Sequence, residues 1–159
     1  MKRKANMAHA HRAGITALTL LLVMGQTALS GLVSASGDLS RQKPVEVRLQ
    51  VEANYFRPAH LEMETGLLYK LVIENKTSET HRIVAPELTD RVFTRKIEVR
   101  DSQGRMMVLL EGQFRGLEQA PGARVEWWFV PVATGDGIAI FCDKPGHAEA
   151  GKKTLITIK

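Results

Sequence analysis

From Val45 to the C-terminus the sequence breaks every few residues into short runs rich in Val, Ile, Leu and aromatic residues. The runs are "VEVRLQVEA", "HLEME", "LYKLVIEN", "HRIVA", "VFTRKIEV", "RMMVLLE", "ARVEWWFVPV", "GIAIFC" and "TLITIK". Turn signals separate them at "TG", "NKTSE", "DSQG", "APG" and "TGDG". "VEVRLQVEA" and "TLITIK" alternate apolar with polar residues, which buries one face of each as a strand. No stretch carries a sustained helical period, and residues 86–92 have room for a single turn. Short strands at regular spacing, joined by loops, predict an all-β Greek-key sandwich or barrel. Neither an internal repeat nor a low-complexity tract is present. Trp127 and Trp128 are neighbours on one predicted strand and should face opposite ways, one into the core and one to the rim.

The start of the chain is of another kind. Lys2, Arg3, Lys4 and Arg12 precede the apolar run "GITALTLLLVMG", which gives way to the small and polar "QTALSGLVSASG". That is the layout of a secretory signal. Val33 and Ala35 fit the positions three and one before a cut, so residues 1–35 are read as the signal, with processing after Ser30 as the second choice. Residues 36–44 read as a short tether, and 45–159 as the domain. If no cut occurs, the uncharged stretch 13–37 is long enough for one spanning helix of about 20 residues, and the chain is anchored to a membrane.

This division changes the meaning of the charge. Four of the 22 basic residues and none of the 17 acidic ones precede residue 36, so the remainder carries 18 against 17, a net +1. The formal +5 of the whole chain belongs to the leader and gives no footing for nucleic acid. "DRVFTRKIEVR" alternates like a half-solvated strand and lacks the clustered aromatics of a base-stacking platform.

The chain has one cysteine, Cys142, so it forms no internal disulfide. In an exported domain such a thiol is a buried bystander, a reactive group or a metal ligand. It closes "GIAIFC", and His147 follows after "DKPG", where Pro145 and Gly146 favour a tight turn that can fold the imidazole back toward the sulfur. Thiolate and imidazole suit copper or zinc. Two donors do not complete a site. Of the five histidines, His60 and His81 are the others beyond the leader. His81 follows the strand "LYKLVIEN" and its turn and is expected at the same end as the Cys142 loop, whereas His60 is expected at the opposite end. The plain alternative for both ligand candidates is a small buried cysteine and unremarkable histidines.

Over roughly residues 45–159 the chain resembles the cupredoxins, the small blue-copper proteins. The resemblance lies in "YFRPAHLEMETGLLYKLVIEN", then "HRIVAPEL", then "PGARVEWWFVPVATGDGIAIFC", and lastly "CDKPGHAEAGKKTLITIK". It implies His81, Cys142 and His147 as equatorial ligands of one copper ion. Two positions depart from the family pattern. Lys152 stands where the axial methionine usually follows the histidine, and Arg82 stands where asparagine often follows the first histidine. Lys152 is expected to point to solvent rather than bind metal. Met63, Met106 and Met107 are expected as packed strand residues, Glu149 would need the loop to double back, and a peptide carbonyl near His81 is a weak axial candidate.

With no second metal position, no paired carboxylates and no nucleophile beside an orienting base, an enzyme is not expected. The resemblance implies an exported electron carrier that docks transiently with redox or copper-transfer protein partners, as a monomer in the periplasm of a Gram-negative bacterium. Periplasmic copper storage and delivery, or a copper-free interaction module, are the alternatives.

Overall fold

The computed structural model describes residues 42–111 and 115–159. The proposed signal, residues 1–35, and most of the tether lie outside the described residues. Eleven strands and one short helix make up the described chain. They are β1 (Val45–Val51), β2 (Phe56–Arg57), β3 (His60–Met63), β4 (Tyr69–Asn75), β5 (His81–Val84), α1 (Pro86–Thr89), β6 (Val92–Arg100), β7 (Met106–Leu110), β8 (Gly116–Gln119), β9 (Arg124–Pro131), β10 (Gly135–Cys142) and β11 (Lys153–Ile158). Among the described residues no helix is long and apolar enough to cross a membrane.

The strands form two sheets, ordered β2-β1-β4-β9-β6-β7 and β3-β11-β10-β5-β8. β1 runs parallel to β4 and β3 parallel to β11, while the other pairs are antiparallel. The expected all-β sandwich is therefore the observed fold. Alternation sets which side chains meet between the sheets, because successive residues of a strand point to opposite faces. In β11 Thr154, Ile156 and Ile158 are buried, and Leu155 faces out. In β9 Val125, Trp127 and Phe129 join Leu49, Leu71, Ile73, Ile97, Ile138, Ile140 and Cys142 in the core. Trp127 is fully buried against Phe129, ring centroids 4.8 Å apart, and donates its indole N–H to Thr94 Oγ1 at 3.0 Å.

Trp128 takes the opposite face, as the alternation requires. Lys70 and Lys96 from the flanking strands lie over its ring, at 5.5 and 4.6 Å from the centroid. Around it Glu98 pairs with Lys96 and Arg100, and Glu126 with Lys70 and Arg124. Lys96 and Arg100 of "DRVFTRKIEVR" are thus ion-paired on an outer face. β6 accommodates its irregular pattern by a register shift between Thr94 and Lys96, so that Thr94 and Ile97 both point inward.

Two strands escape the sequence reading. β2 is only two residues long, and β8, "GLEQ", has too few apolar residues to register as a run. Two methionines also depart from expectation. Met63 is core, but Met106 and Met107 are 49% and 62% exposed on β7, which ends its sheet and has no strand to pack against on its outer side.

Candidate metal centre

Three elements converge at one end of the sandwich. β5 begins with His81, β10 ends with Cys142, and the two strands are hydrogen-bonded neighbours in which Cys142 pairs with Ile83. The loop 143–151 then returns the chain to β11. Its turns close through His147 N–H to Lys144 C=O and Ala150 N–H to Gly146 C=O, with Gly146 at φ 79°. That positive φ is one glycine adopts without steric penalty. Lys152 N–H donates to His147 C=O, and Cys142 N–H to Lys152 C=O, so the loop's two ends are tied across its base.

The result brings the three predicted side chains together. Cys142 Sγ lies 3.6 Å from His81 Nδ1 and 3.4 Å from His147 Nδ1, and one donor atom from each residue falls within 4.8 Å of the others. Donors about 2.0–2.3 Å from a shared ion, about 110–120° apart, lie about 3.3–3.8 Å from one another. Both sulfur–nitrogen separations suit a single ion held in common. The set of one thiol and two imidazoles is one for copper. His81 and Cys142 are fully buried, and His147 is half-buried, so the site is closed on the core side and open at the His147 edge.

Behind His81 stands a polar support that the sequence reading missed. Thr77 Oγ1 is 2.9 Å from His81 Nε2 and 2.8 Å from Asn75 Oδ1. The hydroxyl's single hydrogen has Asn75 Oδ1 and the Glu79 carbonyl, at 3.1 Å, as acceptors, so its oxygen is placed to accept from Nε2–H in the tautomer that leaves Nδ1 free for a metal. Asn75, 1% exposed, is held in turn by its amide donating to the carbonyls of Glu79, Gln119 and Ala120, at 2.7–3.1 Å. Gln119 of β8 is buried beside it and donates to the carbonyls of Ile73 and Ala123. The available signal was the asparagine closing an apolar strand, "LVIEN", with Thr77 two residues on.

The remaining candidates sort as follows. Arg82 points outward, and its guanidinium donates to Asp143 at 2.8 Å, bridging β5 to the first residue after Cys142. Glu149 is exposed. His60 is also outside the site, but for a reason other than the one expected. It aligns with Leu155, early in β11, and so is nearer the Cys142 end than the far end. It is excluded because it sits on the outer face, beside Thr157. Lys152 corrects the expectation directly. It is turned inward and only 5% exposed, with Nζ 3.5 Å from His81 Nε2, on the side of the ring away from the sulfur. The backbone bonds at Lys152 N–H and C=O turn its side chain inward behind His81.

Burial holds the His81 imidazole below its ordinary titration range, with the Lys152 charge adding to the effect. The unfolded chain takes up this proton near pH 6.5 while the folded chain resists it, so proton binding favours unfolding. This contribution to stability is fully present above about pH 6.5 and is lost as the pH falls toward the depressed folded value. The urea midpoint of metal-free protein is therefore expected to fall from pH 7.5 to about 5.5, before the carboxylates titrate. A midpoint constant across that window would contradict the buried, neutral His81.

No protein-family model matches the sequence, and no curated protein matches it either. Solved structures do. A multicopper oxidase from Pediococcus acidilactici aligns with a TM-score of 0.52 and 12% identity, over 82% of this chain and 29% of its own. The copper-containing nitrite reductase of Thermus scotoductus aligns at 0.51 and 15%, over 76% of this chain and 32% of its own. Dithionite-reduced auracyanin from Roseiflexus castenholzii aligns at 0.47 and 14%, over 72% and 96%. Two facing sheets with a buried His/Cys/His group at one end define a class, the cupredoxin-like β-sandwich with a three-donor metal site. This chain has the cupredoxin fold.

Proposed function

We propose that this protein is an exported, single-copper electron carrier in which His81, Cys142 and His147 are the ligands. The observation that carries the reading is the convergence of two Nδ1 atoms at 3.4 and 3.6 Å from the Cys142 sulfur, with Thr77 Oγ1 placed to accept from His81 Nε2–H in the tautomer that frees Nδ1. Copper bound there would supply a one-electron couple. The chain's part is to hold the donors fixed. Cys142 and His81 are anchored on neighbouring strands, and the loop is tied at both ends, so little rearrangement accompanies a change of charge at the site. His147 presents the accessible edge, and a redox partner docking at this end would approach through it.

A periplasmic location follows in the proposal from the leader, which the chain is expected to lose after Ala35. One observation favours a second reading, copper storage and delivery. Met106 and Met107 are exposed on β7 and Met63 is packed in the core as a β3 residue, so among the described residues no thioether is placed as a fourth donor.

Cyclic voltammetry on copper-loaded protein from the periplasmic fraction, with an N-terminus near Ser36, distinguishes the two. A reversible couple with copper retained against chelator is the result expected of a carrier. Rapid surrender of copper to the chelator, with no reversible couple, would replace this reading by storage.

A further inference from the structure

Lys152 is a buried charge that the metal site does not use. Its ammonium has no carboxylate within ion-pair distance among the described residues, and its only close polar contact there is His81 Nε2 at 3.5 Å. That nitrogen cannot serve as its acceptor once a metal occupies Nδ1. The ring hydrogen then sits on Nε2 and is donated to Thr77 Oγ1, 2.9 Å away. Metal loading therefore leaves a cation, 5% exposed, with no protein acceptor in hydrogen-bond contact among the described residues. An uncompensated buried charge of this kind is strongly unfavourable.

The same ammonium lines a cleft of about 220 Å³, whose other walls include Asn54, Thr77, Ser78, Glu79 and His81. Asn54 and Ser78 bring neutral hydrogen-bonding groups to it. Glu79 is the one carboxylate in that lining, but its side chain is 69% exposed at the rim and is turned toward Lys144, 3.9 Å away. The cleft thus has a cation at its floor, neutral polar walls and access from solvent, which is the environment of an anion.

We propose that this cleft is a binding site for a small inorganic anion, held by the Lys152 ammonium and filled when metal occupies the adjoining histidine. The inference rests on the ligand assignment above, since metal on Nδ1 is what places the hydrogen on Nε2. Linkage is then reciprocal: an anion that neutralises Lys152 favours the metal-ready form of His81, and metal favours the anion. The anion sits behind the ligand, on the side of the ring away from the sulfur, and does not compete for the metal.

The test uses purified protein loaded with zinc(II), which accepts the same donors and is diamagnetic, with metal content measured independently. Sodium bromide is titrated against gluconate at constant ionic strength, and the bromide NMR line width is followed. Saturable broadening is expected, displaced by thiocyanate, with affinity lower by at least about tenfold in Lys152→Met and in metal-free protein. Lys144→Met, outside the cleft lining and 3.9 Å from the Glu79 carboxylate, is expected to stay within about twofold. Full zinc loading without saturable bromide, or equal affinity in Lys152→Met, would overturn the anion site alone. Failure to take up zinc would instead overturn the ligand assignment, and the metal linkage with it. Anomalous scattering from bromide-soaked wild-type crystals reads the position without any variant. A peak beside Lys152 Nζ supports the site, and its absence at saturating bromide rejects it.

Discussion

Replacing Cys142 with alanine is expected to abolish copper-dependent colour entirely and to leave the protein folded. The thiolate is the only sulfur donor in the group, and the intense visible absorption of such sites arises from it, so two imidazoles alone cannot reproduce the band. The structural cost is small by comparison. Cys142 is fully buried, and Cys142→Ala removes one heavy atom from the core, a loss of about 1 kcal/mol by the usual scale for a single missing group. Urea denaturation of the metal-free variant separates the two effects. A near-native midpoint with no absorption places the loss in ligation. A variant that still takes copper with its colour intact would remove Cys142 from the site.

The second large effect is expected from Asn75→Ala, although Asn75 donates nothing to the metal. The two hydrogens of its amide are shared among three buried or part-buried carbonyls, and its oxygen accepts from both the N–H and the hydroxyl of Thr77. Each buried group left without a partner costs about 1–3 kcal/mol, and since water can reach some of them a total of about 3 kcal/mol is expected. The same substitution leaves the Glu79 carbonyl, at 3.1 Å, as the Thr77 hydroxyl's remaining backbone acceptor, and a hydroxyl that turned instead to His81 Nε2 would put the ring hydrogen on Nδ1, against the metal. Loss of such a support typically lowers metal affinity by about 10–100-fold. Denaturation of the metal-free variant and a competitive metal titration measure the two quantities. A stability loss with unchanged affinity would mean that Thr77 and Asn75 do not fix the His81 tautomer.

These two residues mark what the sequence made legible. The Cys142 loop could be read because its chemistry is local: a sole cysteine, a histidine five residues later and a Pro-Gly turn between them. His81 was reachable because it opens a strand, and strand ends gather at the ends of a sandwich. Asn75 was not, because its role depends on β8, a strand of four residues with weak apolar content that brings Gln119 and Ala120 against it. Lys152 was misplaced for a related reason. A lysine is ordinarily solvated, and nothing local signals burial. The backbone bonds that tie residues 142, 147 and 152 together turn it inward. The alternation rule served well for Trp127 and Trp128, where face is set by parity alone. It was less useful for His60, where face mattered and the expectation had been framed in terms of which end of the sandwich it occupied.

The account stands or falls on whether the three donors hold one copper ion together. Copper(II) titrated into purified protein, followed by metal analysis with visible and paramagnetic-resonance spectra, addresses this directly. The geometry predicts one equivalent bound and an intense thiolate-to-copper absorption that rises to a sharp end point at that ratio, with a single copper signal. Protein that stays colourless and retains no stoichiometric copper after desalting would contradict it, and would make this sandwich a metal-free interaction module.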